Sequence, residues 1–306
     1  MTRHIVFCVN NEYSCYVRVP IKSIAEIHKE DRKNKYVIHI LSDFISNKNL
    51  KLLSNEFYSY SNIDVIIHKV NDVKLRDLYT RTWPIQTWYR ILIPEILPQY
   101  IDKVLYLDTD TLLLSNLNGL FETDMTGKSI AATIDYQTIF DYPFERCKYN
   151  SELGYICSGV MLMNLNYWRH YNITERIIDW AHRNENRLKC PDQDAINFIC
   201  KDNKIVLPMQ YGIMDCFLTN PIFKKEGYTE QIKDCLENPI IVHYNGCPPW
   251  YKEYEKHSFH HQWERFNSIL KKPVKPHYQA EGFLLLKIIA TRILKKIDTT
   301  LCQKFL

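Results

Sequence analysis

The chain has 306 residues, of which 46% are hydrophobic and 24% are charged, so it can bury the core of one large globular domain. Its net charge is +4, and only 8 residues are glycine, the first of them Gly119. The glycine-rich phosphate loops of dinucleotide-binding and P-loop proteins cannot be written in this sequence, so any bound nucleotide must be held by other means.

Apolar runs and helical periodicity alternate along the first part of the chain. The pattern predicts strand, helix, strand, helix and strand over residues 4–9, 16–28, 36–42, 47–58 and 63–69. This alternation is typical of a parallel α/β sheet.

The alternation continues less regularly through the middle of the chain and then becomes mostly helical. A helix is predicted over residues 87–93, and further strands over 103–107, 129–134 and 159–164. Later elements are helices over 173–183, 192–199 and 259–270 and a short strand over 240–243.

Ten cysteines are scattered along the chain without a C-x-x-C pair, so we expect free thiols in a reducing, cytoplasmic compartment. Residues 1–4 lead directly into a short apolar segment, and we therefore expect no secretory signal peptide. No window approaches the roughly 20 apolar residues that a membrane-spanning helix needs. We expect no transmembrane segment.

Basic residues are concentrated at the C-terminal end. Residues 271–306 hold eight lysines and arginines against two acidic residues, whereas the rest of the chain is slightly acidic, which argues against a nucleic-acid groove across the main domain. Residues 283–301 form a basic amphipathic pattern after a proline-marked linker. We predict a main domain over 1–270 and, over 271–306, a linker and a helix that lies on the anionic inner leaflet. The alternative is a helix packed on the main domain with a solvated lysine face.

Two carboxylates, Asp108 and Asp110, follow the apolar strand predicted over residues 103–107. Ligands of open α/β folds bind at this edge of the sheet, and alternation sends both side chains to one side. Two hard oxygen ligands suit Mg²⁺ or Mn²⁺ shared with a diphosphate, which would replace a glycine loop. The alternative is an aspartate-rich turn without a ligand.

The run Asp-Thr-Asp-Thr that starts at Asp108 fits two chemistries. It resembles the nucleophile motif of haloacid-dehalogenase-like phosphatases, with Asp108 as nucleophile, and also the D-x-D motif of nucleotide-sugar glycosyltransferases. In the phosphatases this strand usually stands first in its domain, whereas here a long α/β pattern precedes it. The position favours the glycosyltransferase interpretation.

Six segments stand in a fixed order along the chain: IVFCVNNEY from Ile5, WYRIL from Trp88, KVLYLD from Lys103, SGVMLMNL from Ser158, DQDAIN from Asp192 and HYNG from His243. Together they resemble the retaining glycosyltransferase family 8, especially the bacterial lipopolysaccharide and lipooligosaccharide galactosyl- and glucosyltransferases. The resemblance implies an α/β fold of GT-A type, a Rossmann-like nucleotide-sugar-binding domain with a mostly parallel sheet, followed by a helical basic amphipathic tail.

The family resemblance also implies an activity. A hexose, galactose or glucose, would pass from a UDP-sugar to a hydroxyl of a cell-surface glycan such as lipopolysaccharide, with retention at the anomeric carbon and with Mn²⁺ or Mg²⁺ as cofactor. We expect the enzyme in the cytoplasm, attached peripherally to the inner face of the membrane, with a glycan or glycolipid acceptor and no nucleic-acid partner.

Residue roles follow from the resemblance. Asp108, Asp110 and His243 would be the metal ligands, the alternative for His243 being a buried core histidine. Asp192 and Gln193 would be catalytic residues beside the anomeric carbon, the alternative for Asp192 being an N-cap. The nucleotide sugar would be bound by Val9, Asn10, Tyr13, Arg90, Asp108, Thr109, Asp110, Asp135 and Gly246, the alternative for Arg90 being a surface ion pair.

Two routes to retention are open: a covalent intermediate on Gln193 or Asp192, or a front-face reaction without a nucleophile. An amide is a poor nucleophile, which favours the front-face route. The sequence departs from the family pattern at Asn10, where aspartate is usual, at Cys157, where asparagine is usual, and in the loop after His243, which lacks a lysine. A catalytically degenerate family member that binds nucleotide or membrane is therefore the remaining alternative.

Overall fold

The computed structural model describes residues 1–279, and a twisted β-sheet flanked by helices is its central feature. Within these residues the strands are β1 (Thr2–Cys8), β2 (Lys35–Ser42), β3 (Ile63–Lys69), β4 (Lys103–Leu107), β5 (Thr111–Leu113), β6 (Ile130–Ile134), β7 (Ile156–Asn164), β8 (Lys204–Leu207) and β9 (Ile241–His243). Seven of them form one sheet in the order β3-β2-β1-β4-β7-β6-β8, and β5 and β9 form a separate two-stranded sheet.

The large sheet is mostly parallel, as expected from the alternating pattern. β1 pairs in parallel with β2 and β4, β2 with β3, and β6 with β8, whereas β7 runs antiparallel to β4 and β6. The C-terminal ends of β1 and β4 and the N-terminal end of β7 therefore meet at one edge of the sheet.

Helices cover the sheet and extend the C-terminal half. In chain order they are α1 (Arg18–Ile27), α2 (Asn47–Phe57), α3 (Ile93–Ile96), α4 (Asn118–Phe121), α5 (Tyr142–Cys147), α6 (Leu165–His170), α7 (Ile173–Arg183), α8 (Pro191–Cys200), α9 (Asp215–Thr219), α10 (Ile222–Lys225), α11 (Thr229–Glu237) and α12 (His260–Ser268).

The alternation of side chains along the strands divides the core in two. Val6, Val104 and Met161 belong to one apolar cluster, while their neighbours on the same strands belong to another cluster on the opposite face. Both faces of the sheet are thus buried at its central strands, which explains why these strands read as continuous apolar runs. A third cluster lies beneath the two-stranded sheet and includes Leu112, Val242, Trp250 and Trp263.

The structure differs from the sequence prediction at several elements. The helix predicted over residues 87–93 is a 3₁₀-helix over Ile85–Leu92 that continues into α3. The strands β5 and β8 were not predicted, because they are only three and four residues long and lack a clear apolar alternation.

Residues 271–279 pack on the main domain. Val274 exchanges two hydrogen bonds with Asn267, and Arg18 donates to the carbonyl of Lys272 at 2.8 Å. The amphipathic pattern of residues 283–301 lies outside the described residues. No helix within residues 1–279 is long and apolar enough to cross a membrane.

Candidate active site

A cavity of about 750 Å³ opens at the edge of the sheet where β1, β4 and β7 meet. Every site residue predicted from the sequence lines it. Their segments are far apart in the chain and converge because the strand ends share this edge.

The carboxylates of Asp108 and Asp110 lie beside the imidazole of His243. Nε2 of His243 is 3.4 Å from Asp110 Oδ1 and 3.8 Å from Asp108 Oδ2. One ligand atom from each of the three residues lies within 4.8 Å of the others. The pairing of β5 with β9 sets Thr111 opposite His243 and so brings the histidine to the aspartates. Two carboxylates and one imidazole nitrogen suit a divalent cation such as Mn²⁺.

Gly159 leaves room for this group. A Cβ at that position would stand 2.3 Å from Cε1 of His243 and 2.7 Å from Oδ2 of Asp108. Its carbonyl accepts a hydrogen bond from the amide of Asp108 at 2.8 Å. Only glycine therefore allows the strand to approach His243 and Asp108 at once. No role is predicted for this residue from the sequence.

Arg90 lines the cavity and its side chain is buried. The alternative interpretation of Arg90 as a member of a surface ion pair is therefore wrong. Its guanidinium contacts Asp108 Oδ1 at 3.0 Å and Asp192 Oδ2 at 3.2 Å. It also donates to the carbonyl and hydroxyl oxygens of Ser158 at 2.7 and 2.8 Å, and it lies over the ring of Tyr106. Arg90 thus joins the aspartate pair to α8.

Asp192 and Gln193 lie in the first turn of α8, with Cys190 at the N-cap, so Asp192 does not cap this helix. Gln193 Oε1 accepts from the amide of Ser158 at 2.9 Å and from its hydroxyl at 3.3 Å. Gln193 Nε2 donates to Asp135 Oδ2 at 3.3 Å, and Asp135 Oδ1 accepts from the amide of Gln137. The amide of Gln193 is therefore held at both ends.

The remaining predicted residues line other parts of the cavity wall. Val9, Asn10 and Tyr13 follow β1, and Thr109 lies between the two aspartates. Asn10 Oδ1 accepts from the amide of Tyr13 at 2.8 Å, so this side-chain oxygen stabilises a local turn. Gly246 adopts a φ of 74°, a conformation that favours glycine.

Burial and neighbouring charges shift the pKa values of the site. Burial raises the pKa of Asp135 and of Asp192. Burial alone would lower the pKa of Arg90, but the neighbouring acidic groups, Asp108 foremost, together outweigh burial and raise that pKa. Burial likewise opposes the proton on His243, yet Cys157 and Asp110 raise the pKa of this histidine well above its usual range. Such shifts are common at functional sites.

Known proteins resemble this chain in both sequence and fold. The family model described as Glycosyl transferase family 8 matches residues 4–254. A lipopolysaccharide 1,2-glucosyltransferase of Escherichia coli is 28% identical over 235 residues, which are 75% of this chain and 68% of that protein. A protein of the same name from Escherichia coli strain K12 is 24% identical over 253 residues, 81% of this chain and 73% of that protein.

Solved structures confirm the expected fold. The galactosyltransferase LgtC, solved in complex with donor and acceptor sugar analogs, superposes with a TM-score of 0.74 at 24% identity, covering 88% of this chain and 96% of that one. Its fold is the GT-A type that the sequence predicted. Because the family model spans most of the chain and the fold agrees with it, the protein belongs to glycosyltransferase family 8.

Proposed function

We propose that this glycosyltransferase is metal-dependent and retaining, and that it transfers galactose or glucose from a UDP-sugar to a hydroxyl of a glycolipid acceptor such as lipopolysaccharide. The observation that carries the proposal is the group formed by Asp108, Asp110 and His243 on the wall of the cavity. Arg90 contacts this group at Asp108. The names of the relatives, lipopolysaccharide 1,2-glucosyltransferases, support the acceptor class.

Asp108, Asp110 and His243 would hold Mn²⁺ or Mg²⁺. The donor set fits a hard or borderline divalent cation, and the space that a Cβ at Gly159 would fill is kept open beside it. Such a cation would supply positive charge to a departing diphosphate. This arrangement would replace the glycine loop that the sequence lacks.

Arg90 would position the carboxylates rather than only contact the donor. Its guanidinium bridges Asp108 and Asp192, so it fixes one proposed metal ligand relative to one proposed sugar-binding residue. Its positive charge also lies in a buried setting, where it stabilises developing negative charge more strongly than in water.

The hydrogen bonds of Gln193 support the front-face route. A nucleophile needs a lone pair free to attack, whereas Oε1 of Gln193 already accepts two hydrogen bonds from Ser158. Asp192 is paired with Arg90, which lowers its nucleophilicity. In the front-face reaction the leaving phosphate oxygen takes the acceptor's proton, and Asp192 would hold donor hydroxyls.

Membrane contact is part of the proposal. The basic amphipathic pattern of residues 283–301 would bind an anionic inner leaflet and bring the cavity close to a lipid-linked acceptor. The enzyme would thus act from the cytoplasmic side. Deletion of residues 283–306 is expected to reduce binding to anionic liposomes, and unchanged binding would refute this part.

The alternatives make different predictions. The family assignment argues against the phosphatase interpretation of Asp108. A degenerate family member, suggested by Cys157 and the missing loop lysine, would bind nucleotide without turnover.

The test is turnover of UDP-glucose and UDP-galactose with Mn²⁺, compared between the wild-type protein and Asp108→Asn. We expect metal-dependent release of UDP from at least one donor and its loss in the variant. If neither donor is turned over and the two proteins bind UDP alike, the transferase proposal fails.

A further inference from the structure

The buried thiol of Cys157 contacts the ring of His243. Its sulfur lies 3.4 Å from Nδ1, and both residues are almost inaccessible to solvent. The other ring nitrogen, Nε2, faces Asp110 and Asp108. The two nitrogens of His243 thus have separate partners on opposite sides of the ring, and Cys157 is the partner on the side away from the carboxylates.

The contact follows from the alternation along β7. Residues 157 and 159 present the same side of the strand to His243: Cys157 touches Nδ1, and Gly159 leaves space at Cε1. Ser158 points the other way, toward Arg90 and Gln193. One strand therefore supports the histidine on one face and the arginine on the other.

We propose that Cys157 is a positioning residue for the metal-binding histidine. Its sulfur accepts the Nδ1–H of His243, so that Nε2, which faces Asp108 and Asp110, is the nitrogen that would bind the cation. The proposal rests on the proposed metal role of these three residues. Metal-binding histidines generally donate their second N–H to a fixed acceptor, and removal of that acceptor typically lowers metal affinity about 10- to 100-fold.

A thiol suits this position for two physical reasons. A cysteine sulfur is a weak acceptor that tolerates longer contacts than oxygen does, and 3.4 Å is within the hydrogen-bonding range of sulfur. The apolar character of the thiol also allows its complete burial beside the imidazole without a costly unsatisfied group. Cys157 can therefore orient the ring and exclude water from Nδ1 at the same time.

The experiment measures metal binding without turnover. Free Mn²⁺ is followed by electron paramagnetic resonance during titration of the full-length wild-type protein and of Cys157→Ala, Cys157→Ser and Cys235→Ala. Cys235 is equally buried but lies in α11, outside the cavity lining, and is the matched control. We expect Mn²⁺ affinity to fall about 10- to 100-fold in Cys157→Ala. Cys157→Ser, which keeps an acceptor, should stay within about fivefold of the wild type, between it and Cys157→Ala.

A second readout reports the ring itself. The nitrogen-15 resonances of His243 are identified as the signals that are absent from the spectrum of His243→Asn. In the Mg²⁺-bound wild type we expect them to show a protonated Nδ1. The same protonation state should persist in Cys157→Ser.

Three results would overturn the proposal. The first is Mn²⁺ affinity in Cys157→Ala equal to that of the wild type, and the second is a changed donor preference in that variant with no change in Mn²⁺ affinity. The third is an Mg²⁺-bound His243 protonated at Nε2. Failure of the wild-type protein to bind Mn²⁺ would instead refute the metal-dependent function itself.

Discussion

Two buried arginine–carboxylate clusters lie at the two ends of the tripeptide Asp192–Asp194. They differ in whether carboxylate oxygens remain exposed to the cavity. In the first, Arg90 joins Asp192 to Asp108, which keeps 26% of its side chain exposed to the cavity. In the second, Arg146 contacts both oxygens of Asp194, which is fully buried. Tyr155 and the amides of Lys189 and Cys190 also donate to Asp194.

Hydrogen-bonding capacity distinguishes the proposed metal site from the structural cluster around Asp194. Asp194 accepts five hydrogen bonds, so it has no capacity for a ligand. Asp108 Oδ1 accepts hydrogen bonds from Arg90 and Tyr106. Asp108 Oδ2 and Asp110 Oδ1 instead lie beside His243 in the cavity. Buried charge alone is therefore a poor indicator of function here, whereas carboxylate oxygens that face a cavity are informative.

The largest effect is expected for the cluster of Arg146 and Asp194. Asp194→Asn would leave the Arg146 guanidinium partly unpaired in the interior, and the free energy of unfolding should fall by about 3–5 kcal/mol. Urea unfolding measures this change. A loss below about 1 kcal/mol would show that the cluster does not stabilise the α5–α8 contact.

Asp110→Asn should have the opposite profile. Removing one of two neighbouring carboxylates relieves their repulsion, but it also removes a partner of protonated His243. Because these effects oppose each other, the free energy of unfolding should change far less than in Asp194→Asn. UDP release should fall about 100- to 1,000-fold because a proposed metal ligand is lost. Activity near the wild-type value would remove Asp110 from the metal site.

Arg90→Lys tests whether geometry or charge matters in the site cluster. A lysine cannot contact Asp108, Asp192 and Ser158 together, so we expect turnover to fall about 10- to 100-fold. Arg146→Lys is the matched control and should affect stability more than turnover. Equal turnover losses in both variants would show that the distinction between the clusters is wrong.

The pH dependence of metal binding follows from His243. Its pKa is raised, so the metal-free protein holds a proton that the cation must displace. Below this pKa, Mn²⁺ affinity should fall about tenfold per pH unit. The folding stability of the metal-free protein has the opposite pH dependence. Its stabilisation by protonated His243 is lost as the pH rises through the folded-state pKa of this histidine. Mn²⁺ titrations and urea unfolding at several pH values check both trends.

The smallest effect at neutral pH concerns a row of neutral histidine side chains across β1, β2 and β3. Nε2 of His39 lies 3.0 Å from Nδ1 of His4, and Nδ1 of His39 lies 2.9 Å from Nε2 of His68. Burial lowers the pKa of His39 to about 3. The unfolded state takes up a proton near pH 6.5 that the native state does not, so stability should fall as the pH drops from about 6.5 toward 3. In His39→Asn the decline should be shallower by up to about 1.4 kcal/mol per pH unit. An unchanged slope would contradict the shift.

The sequence predicts six of the seven strands of the large sheet and twelve residues that line the cavity. Residues 63–69, 103–107 and 173–183 are elements with the predicted bounds, because their apolar spacing is continuous. The cysteine–histidine contact and the two arginine clusters could not be predicted. They depend on which strands become neighbours, and no local pattern around Cys157, Arg90 or Asp194 encodes that.

The small sheet of β5 and β9 has a consequence for biosynthesis. It joins β5, which follows the two aspartates, to β9, which lies much later in the chain. His243, the third proposed ligand, is therefore synthesised last of the three. A nascent chain that stops before Ile241 carries Asp108 and Asp110 without His243. Because long-range pairing forms late, metal capture would coincide with completion of the domain and would stabilise only finished molecules.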